Sequence, residues 1–202
     1  MSWGLYAVTP GHFTSPQDDN LLLDGSGCDS HANNFGGSFM FTLKSGKPRL
    51  LHYDQGLVTS QCHKFAFSDG RDFLVCQGGW TGQGENIAIV SMSSFDPTGK
   101  DVTTILFTTT DTTFTCGDDP TTVVQESDIK DLKFSSKESG EITGMTITAI
   151  LGDVKCSQLK SEQKTGKLSA SVKTYQIEFV FDGKRFKVAP ASRAVLNRFK
   201  NN

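Results

Sequence analysis

The sequence predicts an all-β protein: an antiparallel β-sandwich or barrel-like domain with a short C-terminal helix docked on the sheet. Three observations carry this expectation. Short runs of β-branched and aromatic residues recur along the 202 residues, broken by glycine turns, with no strand–helix–strand rhythm. Phenylalanine, with 15 residues, far outnumbers the three Tyr and two Trp, which suits a core filled from both faces of packed sheets. The third observation is a hairpin written plainly into residues 62–76.

That hairpin reads Cys62-His63-Lys64-Phe65-Ala66-Phe67, then Ser68-Asp69-Gly70, then Arg71-Asp72-Phe73-Leu74-Val75-Cys76. A three-residue loop takes a type I turn followed by a residue in the left-handed region, and Gly70 stands at that place. Centring the loop on Asp69 sets Phe67 opposite Arg71. Counting outward sets Cys62 opposite Cys76. Directly opposed residues hold their Cβ atoms roughly 4.5–5.5 Å apart, so a modest adjustment bridges them. A Cys62–Cys76 disulfide is therefore expected.

In chain order, strands are expected at Leu5–Thr9, Ser38–Lys44, Arg49–Tyr53, His63–Phe67, Asp72–Gln77 and Ile87–Met92. They continue at Thr103–Thr109, Leu132–Ser136, Ile142–Leu151, Ser171–Phe181 and Arg185–Val188. Ser45-Gly46, Pro97-Thr98-Gly99, Ser139-Gly140 and Asp182-Gly183 supply turns between them. Two polar segments, Thr14–Asn34 and Gly78–Asn86, read as loops. The helix is expected over residues 190–200. Pro190 presets its first turn, and Val195, Leu196 and Phe199 form its apolar stripe. The whole chain, 1–202, reads as one all-β domain.

Composition narrows the class. Hydrophobic residues make up 36%, charged residues 21%, and the net charge is −2, which is the balance of a globular protein. No apolar run approaches the ~20 residues of a membrane-spanning helix. Charge is uneven along the chain: the nets of residues 1–60, 61–127 and 128–202 are −2, −6 and +6. The basic third lacks the interleaved aromatics of single-strand nucleic-acid binders, so no nucleic-acid partner is expected.

The five cysteines are Cys28, Cys62, Cys76, Cys116 and Cys156. Nothing in the sequence selects among pairings of Cys28, Cys116 and Cys156, and the odd number leaves at least one outside any intrachain bridge. Disulfides belong to oxidising compartments. The expectation is a bacterial protein, secreted or periplasmic, whose signal peptide is absent from the sequence. A cytoplasmic protein with buried thiols is the alternative.

Candidate chemistry is sparse. Cys28-x-x-His31 and Cys62-His63 contain zinc-type ligands, but neighbours on a strand point to opposite faces, so no metal is assigned. Asp24, Ser26, Asp29, Asn33 and Asn34 crowd one segment without the spacing of a calcium loop. No nucleophile elbow occurs, and Asp118-Asp119 precedes Pro120 in a turn. No catalytic residue and no cofactor are assigned, and the reading leans away from an enzyme.

Binding chemistry is better represented. Trp80 stands among glycines with Thr81, Gln83, Glu85 and Asn86 beside it, an aromatic flanked by hydrogen-bonding side chains. Asp29 and His31 form a second contact candidate. The expected function is a non-enzymatic binding or inhibitor module that meets a protein or carbohydrate ligand through surface loops. The alternatives are a hydrolase of polysaccharide or peptide, with His31 and Asp29 at its cleft, and a structural subunit assembling through an edge strand.

Overall fold

A computed structural model of the chain describes residues 5–25, 36–117, 119–159 and 168–200. The protein is all-β, with three antiparallel four-stranded sheets and a short C-terminal helix. The strands are β1 (Leu5–Gly11), β2 (Asn20–Gly25), β3 (Gly37–Thr42), β4 (Arg49–Gln55), β5 (Cys62–Ala66) and β6 (Asp72–Gly82). They continue with β7 (Glu85–Phe95), β8 (Asp101–Asp111), β9 (Val123–Ser136), β10 (Ile142–Lys155), β11 (Lys173–Phe181) and β12 (Phe186–Val188), and the helix α1 spans Arg193–Lys200. The sheet orders are β1-β2-β3-β4, β5-β6-β7-β8 and β12-β11-β10-β9. Among the described residues no helix is long and apolar enough to cross a membrane.

The chain forms two compact units. The first comprises Met1–Gly78 and Val90–Leu106, the second Gly79–Ile89 and Phe107–Asn202. The core of the first gathers Phe13, Leu22, Met40, Leu57, Leu74 and Phe95. Phe13 and Phe95 meet edge to face with ring centroids 5.2 Å apart, a favourable aromatic geometry. In the second unit, Met145, Ile147, Ala149 and Ile150 of β10 are buried together with Ile177 and Phe179 of β11. The helix docks there through its apolar stripe. Leu196 is buried, and the Phe199 ring lies 5.0 Å from Phe107 and 5.7 Å from Tyr175. A helix this short gains its stability from such packing.

The Cys62–Cys76 hairpin has the register counted from its turn. Ala66 pairs with Asp72, Phe67 N–H donates to Arg71 O at 2.7 Å, and Gly70 has φ +85°. Cys62 pairs with Cys76, and the two form a disulfide with Cα atoms 4.0 Å apart. A second disulfide joins Cys116 to Cys156.

Two segments expected as loops contain strands. Within Thr14–Asn34, residues Asn20–Gly25 form β2, a central strand of its sheet. Its buried positions alternate as Asn20, Leu22 and Asp24, so two of the three inward side chains are polar and disguise the strand. The Asp24 carboxylate and the Asn20 amide oxygen are both held by protein hydrogen bonds. Asp24, 2% exposed, accepts from Ser38 Oγ at 2.6 Å, Thr59 Oγ1 at 2.8 Å and Ser60 N–H at 3.0 Å. Asn20 Oδ1 accepts from the N–H groups of Phe13 and Thr14, which folds the β1–β2 connection over the strand. The other segment, Gly78–Asn86, is the tip of the β6–β7 hairpin.

Candidate functional site

The β6–β7 tip is a strand pair because its glycines serve strand geometry rather than flexibility. Gln83 and Gly84 have φ +52° and +86°, and a two-residue hairpin turn with positive φ at both positions is the type I′ form. Gly79 stands where a Cβ would lie 2.1 Å from Ile87 O, so only glycine lets the two backbones approach. Counting from the turn puts Thr81 across from Asn86, and Thr81 Oγ1 donates to Asn86 Oδ1 at 2.9 Å.

Trp80 is half-buried. Its ring is folded along its own strand: a Cβ at Gly82 would meet Trp80 Cζ3 at 3.0 Å. Thr81 and Gln83 are exposed, and Glu85 and Asn86 are half-buried. The tip therefore carries Trp80, Thr81, Gln83, Glu85 and Asn86 on one hairpin. Asp29 and His31, the other contact candidates, lie outside the described residues, as does Cys28.

The next member of this surface carries no signature in the sequence. A single turn of 3₁₀ helix, Thr113–Thr115, follows β8 and touches the tip: a Cβ at Gly84 would meet Thr115 Cγ2 at 2.7 Å. On that turn Phe114 is 66% exposed. The turn is held at both ends. Thr113 N–H donates to Asp111 Oδ1 at 2.7 Å, Thr115 Oγ1 donates to Thr112 O at 2.7 Å, and Cys116 is bridged to Cys156. An aromatic side chain fixed outward by a cross-linked turn loses little freedom on binding. Only the Asp111-Thr112-Thr113 turn signal was available in the sequence, and it says nothing about where Phe114 points.

Several aspartates have perturbed ionisation, and three of them bear on the candidate chemistry. In the first unit, burial pushes Asp54 and Asp101 above the ordinary aspartate range. Asp101 is raised further by the charge of Asp54. Asp101 N–H donates to Asp54 Oδ1 at 3.1 Å, Thr103 Oγ1 donates to Asp101, and His52 Nε2 lies 3.4 Å from Asp54 Oδ1. Asp54 Oδ2 and Asp101 Oδ1 are buried without hydrogen-bond partners. In the second unit, Asp119 caps its own turn by accepting from Thr121 Oγ1 at 2.7 Å and Thr121 N–H at 2.8 Å, which lowers its pKa. Among the described residues no three His, Cys, Asp or Glu side chains gather as metal ligands.

No family model, curated protein or solved structure matches the chain.

Proposed function

We propose that the protein is a non-enzymatic binding module of an oxidising compartment, secreted or periplasmic. Its contact surface is the β6–β7 tip together with Phe114. The observation that carries this reading is the exposure of Phe114 on a turn anchored by Cys116–Cys156 and packed beside the tip. Large exposed aromatics on rigid supports are typical anchors of recognition. Thr81, Gln83 and Glu85 supply hydrogen-bonding groups around them, a mixture suited to a protein or carbohydrate ligand. The two disulfides support the compartment.

The test is a binding screen of glycans and purified extracellular proteins by surface plasmon resonance, with Trp80→Ala and Phe114→Ala beside the native protein. Each substitution is expected to weaken binding about tenfold or more with the fold intact. A ligand held equally by both variants would place the contact surface elsewhere.

A second reading, a hydrolase, draws on the Asp54–Asp101 pair, since a carboxyl whose pKa is raised by burial is the kind of group a general acid uses. Its test is cleavage of polysaccharide and peptide panels at acid pH, abolished by Asp101→Asn.

A further inference from the structure

The outward face of the sheet β1-β2-β3-β4 is apolar across all four strands. Directly opposed residues of an antiparallel sheet share a face, so the register reads out its rows. Val8, Leu23, Phe39 and Tyr53 form one row, and Pro10, Leu21, Phe41 and Leu50 form the next. Leu22 and Met40 lie between the rows, point the other way and are fully buried in the core. Val8 is 54% exposed, Leu50 49% and Tyr53 39%, while Leu21, Leu23 and Phe41 are half-buried. The Tyr53 ring lies against Phe39 with centroids 4.7 Å apart. An antiparallel sheet that meets water ordinarily alternates apolar in and polar out. The sheet of the second unit does so: Lys133, Thr146 and Glu178 form an outward row beside buried Ile147. In β2 the order is inverted, with Asn20 and Asp24 inward and Leu21 and Leu23 outward.

Size and charge select what meets this face. Four strands about 4.8 Å apart and about six residues long present roughly 400 Å². A patch of that size marks an interaction site. It is half of the about 800 Å² per partner of a standard interface, so a polar rim must complete the contact. Gly11, Asn20, Thr42 and Arg49 lie side by side across one end of the sheet. Exposed Asp19 stands at that end on the β1 side, its carboxylate 3.7 Å from His12 Nδ1. Exposed Arg49 stands at the same end on β4. The neighbouring Lys44 and Lys64 are already paired, with Asp18 at 2.9 Å and Asp72 at 3.6 Å. Consider two copies stacked face to face about a two-fold axis parallel to the strands. The axis sets β1 of each over β4 of the other and keeps like ends together. Asp19 of each copy then meets Arg49 of the other, so opposite charges close the rim twice.

We infer that two copies of this chain pair through the outward face of β1-β2-β3-β4, apolar rows against apolar rows, with Asp19 and Arg49 completing the rim. This face lies wholly within the first unit, and the pairing does not rest on the contact surface proposed for the second.

The test is sedimentation velocity of the native protein between about 1 and 300 µM, with variants beside it. A reversible monomer–dimer equilibrium is expected. Val8→Lys and Leu50→Lys are each expected to weaken dimerisation at least about tenfold, because each buries an ammonium on an apolar face. Asp19→Lys and Arg49→Glu are each expected to weaken it about threefold, and the double variant to recover the native constant, since it exchanges the two charges. All four side chains are exposed. Should a lysine variant not fold, the charge exchange decides, because it alters no apolar contact. A protein monomeric at every concentration would overturn the inference, and flotation of that monomer with phosphatidylcholine vesicles would assign the face to a bilayer. A dimer indifferent to Val8→Lys and Leu50→Lys would overturn it by placing the contact elsewhere. A double variant no tighter than the single ones would overturn the strand-parallel axis.

Discussion

The backbone N–H of Asp101 donates to the side chain of Asp54 at 3.1 Å, drawing two acidic residues together in a place where both are shielded from water. The bond favours an ionised Asp54, yet burial outweighs it, the Asp54 charge adds to burial at Asp101, and both groups hold their protons more tightly than free aspartate.

The consequence is a pH dependence of known sign. A carboxyl whose folded pKa is raised contributes stability that is fully present below the ordinary aspartate value of 3.8 and is lost as pH rises through the folded value. At neutral pH the pair is therefore a cost. Asp54→Asn is expected to raise the melting temperature by about 2–4 °C at pH 7, with the gain closing as pH falls to about 4. Thermal unfolding of both proteins across that range checks it, and a gain independent of pH would show that the charge is not the cause.

The two disulfides are expected to differ in worth. Cys62–Cys76 closes a separation of 14 residues and Cys116–Cys156 one of 40. Loop-closure entropy gives about 3 kcal/mol for the first and about 4 kcal/mol for the second. Paired Cys→Ser variants, compared by denaturant unfolding, should rank in that order. The oxidised chain should also weigh four hydrogens less than the reduced one, two per bridge.

Strain at the β6–β7 turn is expected to be removable. Gln83 holds φ +52°, a conformation that Asn or Gly adopts at lower cost. Gln83→Asn should stabilise the protein by about 0.5 kcal/mol. Gly79→Ala should do the opposite and cost more than about 2 kcal/mol, because its Cβ would collide with Ile87 O. Chemical denaturation of the two variants reads both effects.

Three aromatics of the second unit should separate by role. Phe114→Ala should leave stability within about 0.5 kcal/mol, since its ring touches mainly water. Trp80→Ala should cost roughly 1–2 kcal/mol for the ring packed over Gly82. Phe199→Ala should cost about 3 kcal/mol and loosen α1, whose ring contacts to Phe107 and Tyr175 it removes. Helicity by circular dichroism and melting temperature distinguish the three.

What could be read from the sequence follows the range of the interactions involved. The Cys62–Cys76 register came from counting outward from one turn, because hairpin pairing is local and Gly70 marks its origin. The C-terminal helix was legible for the same reason, from Pro190 and the apolar stripe of Val195, Leu196 and Phe199. β2 was not, because Asp24 is buried by virtue of the distant partners Ser38 and Thr59, and Asn20 by bonds to the turn of chain that folds back over it. The glycines around Trp80 misled in the opposite sense: at Gly79 the missing Cβ admits a neighbouring strand instead of loosening a loop. The residue types of the tip were legible, while Phe114 was not, since exposure is a property of the finished fold.

The division of the chain into its two units has a consequence for how the molecule is made. Three passages between the units occur at residues 78–79, 89–90 and 106–107, all inside β6, β7 and β8. Neither unit is a continuous stretch of polypeptide, and no single cut releases both whole. On a ribosome, the first unit is incomplete until Leu106 has cleared the exit tunnel, by which time the β6–β7 tip of the second has already been synthesised. The two units must mature together, and expression of either half by simple truncation should yield fragments that lack part of a sheet.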